Sequence, residues 1–456
     1  MKRFLPIPVL CSAALMAVLC ACTPDSASTA TDTLSDAEQP FTGEKAAPAE
    51  KVTQPVATGF VNLNRADQTM IGSGSDTGFY QILYRPDNSA NLTYVDYATA
   101  QEIFLCASPN CTHDNESCSA WLPPEDLSCV PLVVGDRLLL FDRISFSGGA
   151  EGQAHPMRLF SAGLDGSGRK LLTEFDGSES CFSVISANET MLVMQVTRAD
   201  EQGAATGQTL VSVNLDTGER SDFYPIPQGQ NVQFAGVTEN GYCVLYSVQE
   251  TLSEEDFQGE DWGETSAVMD SGKVYTWSVV PVGGSRQETV CQRSGDLQFL
   301  VADDGLYTFD CNTGELYYIS LPDGTEKLLA TVAQGEGQEP YASYFDRKLG
   351  DWVVFSVSCY LDGTDADGNR NCGDFCYAVN TATGEQKQIT LQYSYFGEAR
   401  SFSSLASTDT DVFLITNTQG GDNLHYGYTF GLMPITDYIH SNAEALRPVT
   451  MMPDLG

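Results

Sequence analysis

The sequence is poor in basic residues: 23 Lys and Arg stand against 61 Asp and Glu, and the 456 residues carry a formal net charge of −38. Binding to nucleic acid requires Lys and Arg to neutralise phosphate groups, so this composition argues against a nucleic-acid partner. The chain has four histidines and contains no G-x-S-x-G, H-E-x-x-H or P-loop sequence. These motifs mark serine hydrolases, zinc proteases and nucleotide-binding enzymes, so nothing in the sequence predicts an enzyme of those classes.

The apolar run near the N-terminus is too short for a comfortable membrane span. It extends from Phe4 to Ala21, contains two prolines and follows Lys2 and Arg3, as in a secretory signal peptide. Its end, Leu-Cys-Ala-Cys at 19–22, resembles the lipobox of bacterial lipoproteins. The resemblance implies removal of residues 1–21 and a diacylglycerol thioether on Cys22, which would anchor the protein to the extracytoplasmic side of the cell membrane.

Residues 22–57 are rich in Ser, Thr, Ala, Pro and acidic side chains. Such a composition cannot bury enough apolar surface to offset the entropy of ordering, so we predict a disordered tether after Cys22. A coil of this length spans roughly 30 Å root-mean-square, which would hold the folded body away from the membrane. The body is predicted to comprise residues 58–456.

A short β-hairpin sequence recurs along the body. In each copy a strand-like segment leads into a tight turn, such as Leu-Asp-Thr-Gly at 215–218, and a polar strand follows. Glycine supplies the positive φ that tight hairpin turns require. The copies are about 57 residues apart on average, a spacing that indicates a repeat architecture. Their turn residues are Ala100, Gly168, Gly218, Gly284, Gly324 and Gly384.

Two further strand-like runs, rich in apolar and aromatic residues, lie between successive hairpins. Four antiparallel strands repeated along a chain are typical of a β-propeller, in which each small sheet buries both faces against its neighbours. We therefore predict an all-β protein, a β-propeller of seven four-stranded antiparallel blades, with six or eight blades as the other counts that fit. A two-domain β-sandwich protein is the alternative, which the repeating hairpin disfavours.

Part of this pattern is similar to that of exported bacterial proteins. The segment YVDYATAQEIFLCASPNCTHDNESCSAW, followed by LLLFDR and LFSAGLDGSGRKLL, resembles exported TolB-like propeller lipoproteins of Gram-positive bacteria. The last hairpin is similar to the repeat of the TolB C-terminal domain, and the resemblance covers most of residues 69–456. It implies a propeller fold and an extracytoplasmic location. It implies no catalytic residues, because this lipoprotein family has no settled activity.

The predicted loops differ in length between the two faces of the propeller. With the strands of a blade labelled A to D, A–B and C–D turns share one face, and B–C and D–A connections share the other. The A–B and C–D turns are short, whereas the predicted B–C loops are long, at 145–156, 197–207, 249–272, 361–374 and 417–426. Long loops on a rigid repeat commonly carry function, with neutral drift as the alternative. We predict a ligand surface on the B–C/D–A face that includes Phe257, Trp262 and Tyr426.

Eleven of the fourteen cysteines lie in the body beyond the anchor. Three of them form a spaced group with a histidine, Cys106-x4-Cys111-x-His113-x4-Cys118, within a Cys-rich insertion at 106–129. Three thiolates and an imidazole can bind zinc tetrahedrally in a structural site. Disulfides among Cys106, Cys111, Cys118 and Cys129 are the interpretation that an extracellular location favours, and free thiols are a third.

Two loops are crowded with carboxylates, at 250–264 and 362–374. Carboxylate oxygens bind calcium, but neither loop has the residue order of an EF-hand loop. Solvated acidic loops are therefore favoured over calcium sites. No resident cofactor is predicted apart from the structural zinc or calcium that these groups could hold.

The anchor, the tether and the rigid repeat predict a non-enzymatic lipoprotein that binds an unidentified ligand or protein partner on its B–C/D–A face. One alternative is an extracellular enzyme that acts on carbohydrates or peptides through carboxylates near the propeller axis. Another is an envelope scaffold whose acidic body contacts a basic protein. Two or three carboxylates beside an Arg or Tyr in a deep axial pocket would favour the enzyme, whereas a loop face lined with aromatic side chains would favour binding.

Overall fold

The computed structural model describes residues 55–63, 72–124, 129–142, 156–200, 202–229, 231–250, 272–321, 323–333, 335–364, 368, 370–395, 398–418 and 428–452. All of these residues belong to one compact unit, Pro55–Gly456. Nearly all of the regular structure within them is β-strand.

Seven four-stranded antiparallel sheets follow one another along the chain, which confirms the predicted seven-bladed β-propeller. Strands are numbered in chain order, and five lie outside the four-strand plan: β1 Val61–Asn62, β6 Trp121–Leu122, β11 Glu179–Ser180, β28 Gln392–Tyr395 and β29 Glu398–Ser401. Blades 1 to 3 comprise β2 Gly72–Gly74, β3 Gly78–Tyr84, β4 Ala90–Asp96 and β5 Gln101–Phe104; β7 Cys129–Val134, β8 Arg137–Asp142, β9 Arg158–Gly163 and β10 Lys170–Glu174; and β12 Ile185–Ala187, β13 Met191–Ala199, β14 Ala205–Asn214 and β15 Arg220–Ile226. Blades 4 and 5 comprise β16 Gln233–Val237, β17 Tyr242–Glu250, β18 Lys273–Pro281 and β19 Glu288–Ser294; and β20 Leu297–Ala302, β21 Gly305–Asp310, β22 Glu315–Ser320 and β23 Glu326–Thr331. Blades 6 and 7 comprise β24 Glu339–Leu349, β25 Trp352–Thr364, β26 Arg370–Asn380 and β27 Gln386–Ile389; and β30 Ser403–Ser407, β31 Asp411–Thr418, β32 Tyr428–Pro434 and β33 Arg447–Pro448.

The burial of each strand follows its place in the blade. Second strands such as β8 are buried along almost their whole length, because neighbouring blades cover both faces of the sheet. Fourth strands such as β10 and β23 are largely exposed. The cores lie between blades: the rings of Phe309 in blade 5 and Phe355 in blade 6 are 4.5 Å apart, and those of Phe79 in blade 1 and Phe413 in blade 7 are 4.7 Å apart.

The predicted hairpin turns all join the third and fourth strands of a blade. Positive φ angles occur in the turns at the predicted positions Ala100, Gly168, Gly218, Gly324 and Gly384. In blade 4 the positive φ falls on Gly283 instead of the predicted Gly284.

Blade 7 replaces this hairpin with helical turns. An α-helix, Ile435–Ile439, and a 3-10 helix, Ala443–Ala445, connect β32 to β33. Tyr438 and Ile439 are buried in the hydrophobic cluster between blades 6 and 7, so the helix extends the core where a two-residue turn could not. No helix within the described ranges is long and apolar enough to cross a membrane.

The ring closes between blades 7 and 1, where β30 contacts β2. After β33 the chain runs beside β5: the N–H of Glu102 donates to the carbonyl oxygen of Thr450, and the N–H of Thr450 donates to that of Ala100, both at 2.9 Å. Each blade is built from consecutive strands. The first and last blades are therefore joined by contacts between blades and by the segment after β33.

Candidate functional site

The Cys-rich insertion lies at the outer edge of blade 1. β5 pairs with β4 and ends at Phe104, and the chain returns as β6, which pairs with the beginning of β4. Between these two strands, the N–H of Leu92 on β4 donates to the carbonyl oxygen of Ala120, and the N–H of Leu105 donates to that of Leu92. The fourth strand of blade 1 therefore consists of two pieces with the Cys-rich loop between them.

The structure brings together the four residues that the sequence spacing singled out. One donor atom from each of Cys106, Cys111, His113 and Cys118 lies within 4.8 Å of the other three, and Nδ1 of His113 is 3.3 Å from Sγ of Cys118. In a tetrahedral zinc site, with Zn–S of about 2.3 Å and Zn–N of about 2.0–2.1 Å, donor atoms lie roughly 3.5–3.8 Å apart. In the described part of the chain, no other group of three or more His, Cys, Asp or Glu side chains is arranged to share an ion.

The backbone and the ring of His113 are both held in place. Its φ of 57° lies in the left-handed region, which few non-glycine residues adopt. Its carbonyl oxygen accepts hydrogen bonds from Asn91 Nδ2 at 2.8 Å and from Arg85 Nη1 at 3.3 Å. Its ring stacks on that of Phe104, with centroids 4.1 Å apart. These contacts orient the imidazole towards the sulfur atoms.

The groups of this cluster differ in how readily they ionise. Cys118 is 1% exposed, and burial raises the pKa of its thiol to about 12. Burial also acts to raise the pKa of Cys106, but hydrogen bonds from the Ser108 N–H and from neighbouring thiol and hydroxyl groups outweigh it and lower that pKa to about 7. Burial and the guanidinium of Arg85 lower the pKa of His113, which favours the neutral imidazole. Thiolate and neutral imidazole are the forms that bind metal ions.

The cysteines of the predicted disulfides are only partly grouped. Cys106, Cys111 and Cys118 are thiols in the structure. Cys129 begins β7 and lies in the same hydrophobic cluster as Cys118, but it is not one of the four grouped residues. Two disulfides need four cysteines, whereas three adjacent thiols beside an imidazole match the donor set of a structural metal site.

A cavity of about 690 Å³ lies at the propeller axis. The first strands of blades 1, 2, 4, 5, 6 and 7 contribute to its wall, and residues 59–63 complete it on the side of blade 3. This volume falls in the range of about 300–1,000 Å³ that is usual for ligand pockets.

The N-terminal strand is part of this axial wall. β1 pairs antiparallel with β12, the first strand of blade 3. The side chain of Asn62 donates to the carbonyl oxygens of Val237 at 3.3 Å and Val301 at 3.1 Å, and its Oδ1 accepts from the N–H of Val237 at 3.0 Å. One amide thus joins blades 3, 4 and 5 and pairs backbone groups at the inner edges of two blades.

Charged side chains of both signs line the cavity towards the A–B turns. The ammonium of Lys348 is 3.1 Å from the Asp303 carboxylate. The Asp346 carboxylate accepts hydrogen bonds from the N–H and hydroxyl of Ser404. The five charged residues of the wall are Glu239, Asp303, Asp346, Arg347 and Lys348.

These axial residues were not predicted from the sequence. The run from Asp346 to Lys348 offered a usable signal, because consecutive charges interrupt a largely aromatic and apolar strand. Asn62 offered none, since its hydrogen-bond partners are 124 to 239 positions away in the chain.

Four residues of the sequence-based predictions lie outside the described residues: Cys22, Phe257, Trp262 and Tyr426. The lipid anchor and the aromatic ligand surface therefore stay predictions. Two of the predicted B–C loops are largely β-ribbon, because strand pairing continues to Ala199 and Ala205 in blade 3 and to Thr364 and Arg370 in blade 6.

The second acidic loop is also partly β-structure. Asp374, its last carboxylate, belongs to β26 and is buried. It accepts a hydrogen bond from the Ser358 hydroxyl at 2.6 Å and pairs with Arg400 at 2.9 Å. Asp374 is thus engaged within the protein and is a poor candidate for a calcium ligand.

No protein-family model and no curated protein matches this chain. Solved structures similar to it include an oligogalacturonate lyase from Vibrio parahaemolyticus, with 11% identity, 82% of this chain and 84% of that chain covered, and a TM-score of 0.41. The β-propeller domain of the Trilobed protease from Pyrococcus furiosus has 8% identity over 83% of this chain and 95% of that chain, with a TM-score of 0.44. A puromycin-hydrolyzing peptidase of Mycobacterium tuberculosis has 12% identity over 89% and 58% of the two chains, with a TM-score of 0.47. At such identities and TM-scores the similarities carry no information on activity, and the resemblance to TolB-like lipoproteins stays a prediction.

Proposed function

We propose that the chain is a lipid-anchored, extracytoplasmic propeller that binds a small polar ligand in its axial cavity. The observation that carries this proposal is a cavity of about 690 Å³ with charges of both signs at one end. Its remaining wall includes apolar side chains such as Val237, Val301 and Leu405. Mostly apolar walls with a few placed polar groups are usual for ligand sites. Carboxylates beside ammonium and guanidinium groups suit a ligand that both donates and accepts hydrogen bonds, such as an oligosaccharide or a short peptide.

The first described residues contact the turns of blade 4 at one face of the propeller. The N–H of Val56 donates to the carbonyl oxygen of Val282 in a C–D turn, and Ala57 packs against Gly241 in an A–B turn so closely that a Cβ there would overlap it. Pro55 therefore joins the propeller at the A–B/C–D face. The predicted ligand surface with Phe257, Trp262 and Tyr426 belongs to the B–C/D–A face, where we propose that a protein partner binds.

The cavity is tested by calorimetric titration of the mature protein in detergent with neutral and acidic di- to tetrasaccharides and with tri- and tetrapeptides. For a compound that binds, Lys348→Met is expected to weaken binding at least about tenfold, because a charge-assisted hydrogen bond contributes about 1.5–3 kcal/mol. Lys327→Met, on the exposed strand β23, is the matched control and should bind like the parent. Absence of binding across the panel, or equal binding by Lys348→Met, would refute the proposal.

An enzyme acting on the bound ligand is the second candidate. Glu239, Asp303 and Asp346 line one cavity beside Arg347, which is the arrangement set out above as favouring an enzyme. Mass spectrometry of the ligand after long incubation separates the two functions. If product accumulates, and Glu239→Gln abolishes it while binding is retained, the protein is an enzyme; an intact ligand indicates a binding protein.

The anchor is tested separately, by fractionation of bacterial cells that express the full chain. Cys22→Ala removes the sulfur atom that the lipobox resemblance assigns to the diacylglycerol, so the protein should fail to incorporate labelled fatty acid. Cys372→Ser, an exposed cysteine of β26, should leave labelling unchanged. Labelling of the Cys22→Ala variant would refute the proposed attachment site.

A further inference from the structure

The fourth strand of blade 1 is interrupted at the outer edge of the sheet. β5 pairs with β4 only from Gln101 to Phe104, and β6 pairs only at Trp121 and Leu122. Cys106 follows the end of β5 by two positions, and Cys118 precedes β6 by three. The grouped side chains therefore lie at the two points where the chain leaves and rejoins the sheet.

We infer that Cys106, Cys111, His113 and Cys118 bind one zinc ion, and that this ion joins the two pieces of the fourth strand of blade 1. Three sulfur atoms and one imidazole nitrogen form a donor set that structural zinc sites use. Thiolate donors also select zinc over calcium and magnesium, which prefer oxygen. The donor atoms are within 4.8 Å of one another, so small side-chain shifts would bring them to a common ion.

The surroundings complement the charge of such a site. Three thiolates and one Zn²⁺ carry a net charge of −1, and the guanidinium of Arg85 is held next to the cluster by hydrogen bonds to Asn91 Oδ1 at 3.1 Å and to the His113 carbonyl oxygen at 3.3 Å. The Asn91 amide also donates to that carbonyl. Arg85 and Asn91 thus hold the backbone of His113 in place without contributing a donor atom themselves.

The ion has a structural consequence within the blade. Cys118 is buried in the hydrophobic cluster that includes Leu92, Leu122 and Leu140 of blades 1 and 2. A crosslink from Cys106 to Cys118 closes the loop between β5 and β6 and keeps both strands against β4. A single disulfide would use only two of the three cysteines. It would not explain why the third thiol and the His113 imidazole lie beside them.

Elemental analysis of the full chain, purified without reductant or chelator, is the first test. We expect one zinc per chain, and X-ray absorption at the zinc edge should show three sulfur neighbours at about 2.3 Å and one nitrogen at about 2.0–2.1 Å. Cys111→Ser should lose most of the zinc, while Cys372→Ser, which removes an exposed cysteine of blade 6, should retain it.

Peptide mapping after alkylation gives a result that does not depend on the folding of a variant. Chelator treatment of the parent protein should release the zinc, expose all three thiols to alkylation and make 106–120 sensitive to protease, and added zinc should reverse the last two effects. The inference is overturned by a disulfide between any two of the three cysteines, by three reactive thiols in zinc-free protein as purified, or by full zinc content in Cys111→Ser.

Discussion

Blade 5 and blade 1 are built on the same plan, but their outermost strands are completed in different ways. In blade 5, β23 pairs with β22 from Glu326 to Thr331 across a tight turn. In blade 1, β5 and β6 share the position beside β4, and the Cys-rich loop separates them. The second strands of both blades, β3 and β21, are buried along almost their whole length by neighbouring blades, whereas the fourth strands border solvent. Both fourth strands follow a tight turn, and in blade 1 the interrupted strand also has the Cys-His group beside its break.

The comparison first implies that the inner cores of the two blades are equally important for stability. Phe309 of blade 5 and Phe79 of blade 1 are fully buried and each contacts a ring of the adjacent blade. Phe309→Ala and Phe79→Ala are each expected to lower the free energy of unfolding by about 3–5 kcal/mol, because each leaves a large cavity. The free energy of unfolding of both variants is measured by urea denaturation. A much smaller loss for Phe79→Ala would show that blade 1 is loosely packed throughout and not only at its edge.

The outer edge of blade 3 differs from those of blades 1 and 5 because it is held by ion pairs. Glu179 of β11 is 2% exposed and accepts hydrogen bonds from Arg198 at 3.0 Å and from Arg220 at 2.6 and 2.8 Å. Burial would raise the pKa of Glu179, but hydrogen bonds and charge from Arg220, with the charge of Arg198, outweigh it and lower that pKa. Glu179→Gln is expected to cost about 1.5–3 kcal/mol at pH 7, because it removes hydrogen bonds to a charged group.

The sign of the pH dependence follows from the lowered pKa. An unfolded glutamate has a pKa of about 4.3, so the ionised Glu179 stabilises the fold fully above that pH. This contribution is lost as the pH falls through the lower pKa of the folded state. Urea titrations from pH 7 to pH 3 should therefore show a flatter acid limb for Glu179→Gln than for the parent. Parallel curves would indicate that the ion pairs contribute nothing to the stability of this edge.

Removal of zinc should affect blade 1 and leave blade 5 unchanged. If the ion joins β5 to β6, chelation should accelerate hydrogen exchange of the Leu92 and Leu105 amides at least about tenfold, which corresponds to about 1.4 kcal/mol of local opening. The amides of β22 and β23 in blade 5 serve as the internal reference. Equal acceleration in both blades would mean that chelation destabilises the whole ring and that the edge has no local crosslink.

The smallest expected effects on stability come from substitutions in the turns between the third and fourth strands of blades 1 and 5. Ala100 has a φ of 54° in blade 1, and Gly324 has a φ of 71° in blade 5. Ala100→Gly should stabilise by up to about 1 kcal/mol through relief of the left-handed conformation, less what is lost when its buried methyl group is removed. Gly324→Ala should destabilise by about 1–2 kcal/mol, since its Cβ would also lie 2.9 Å from the Val290 carbonyl oxygen. Thermal unfolding of both variants checks the two signs, and a loss of stability in Ala100→Gly would show that packing of the methyl group outweighs strain.

The repeat and the Cys-His group could be predicted from the sequence, because each is formed by residues that are close together in the chain. The hairpin turns lie within a few residues of the strands they join, and the ligand spacing from Cys106 to Cys118 is a property of a single loop. The helical connection in blade 7 was not predicted, because the segment from Pro434 to Leu446 becomes helical only where Tyr438 can enter the core between two blades. The axial charges were missed although the run from Asp346 to Lys348 interrupts a largely apolar strand, because no local pattern shows that this strand lies at the propeller axis.

The sequence by itself determined the all-β class, the repeated four-strand unit and the turns between the third and fourth strands of blades 1 to 6, since turn chemistry and apolar patterning act over short stretches of chain. The tertiary structure alone decided which side chains face the axis, how the ring closes and how the N-terminal segment takes part in it. Those features depend on contacts between residues far apart in the sequence, such as Asn62 with Val301 and Glu102 with Met452, which are 239 and 350 positions apart. No local pattern specifies such pairs, because they form only when all seven blades have assembled around one axis.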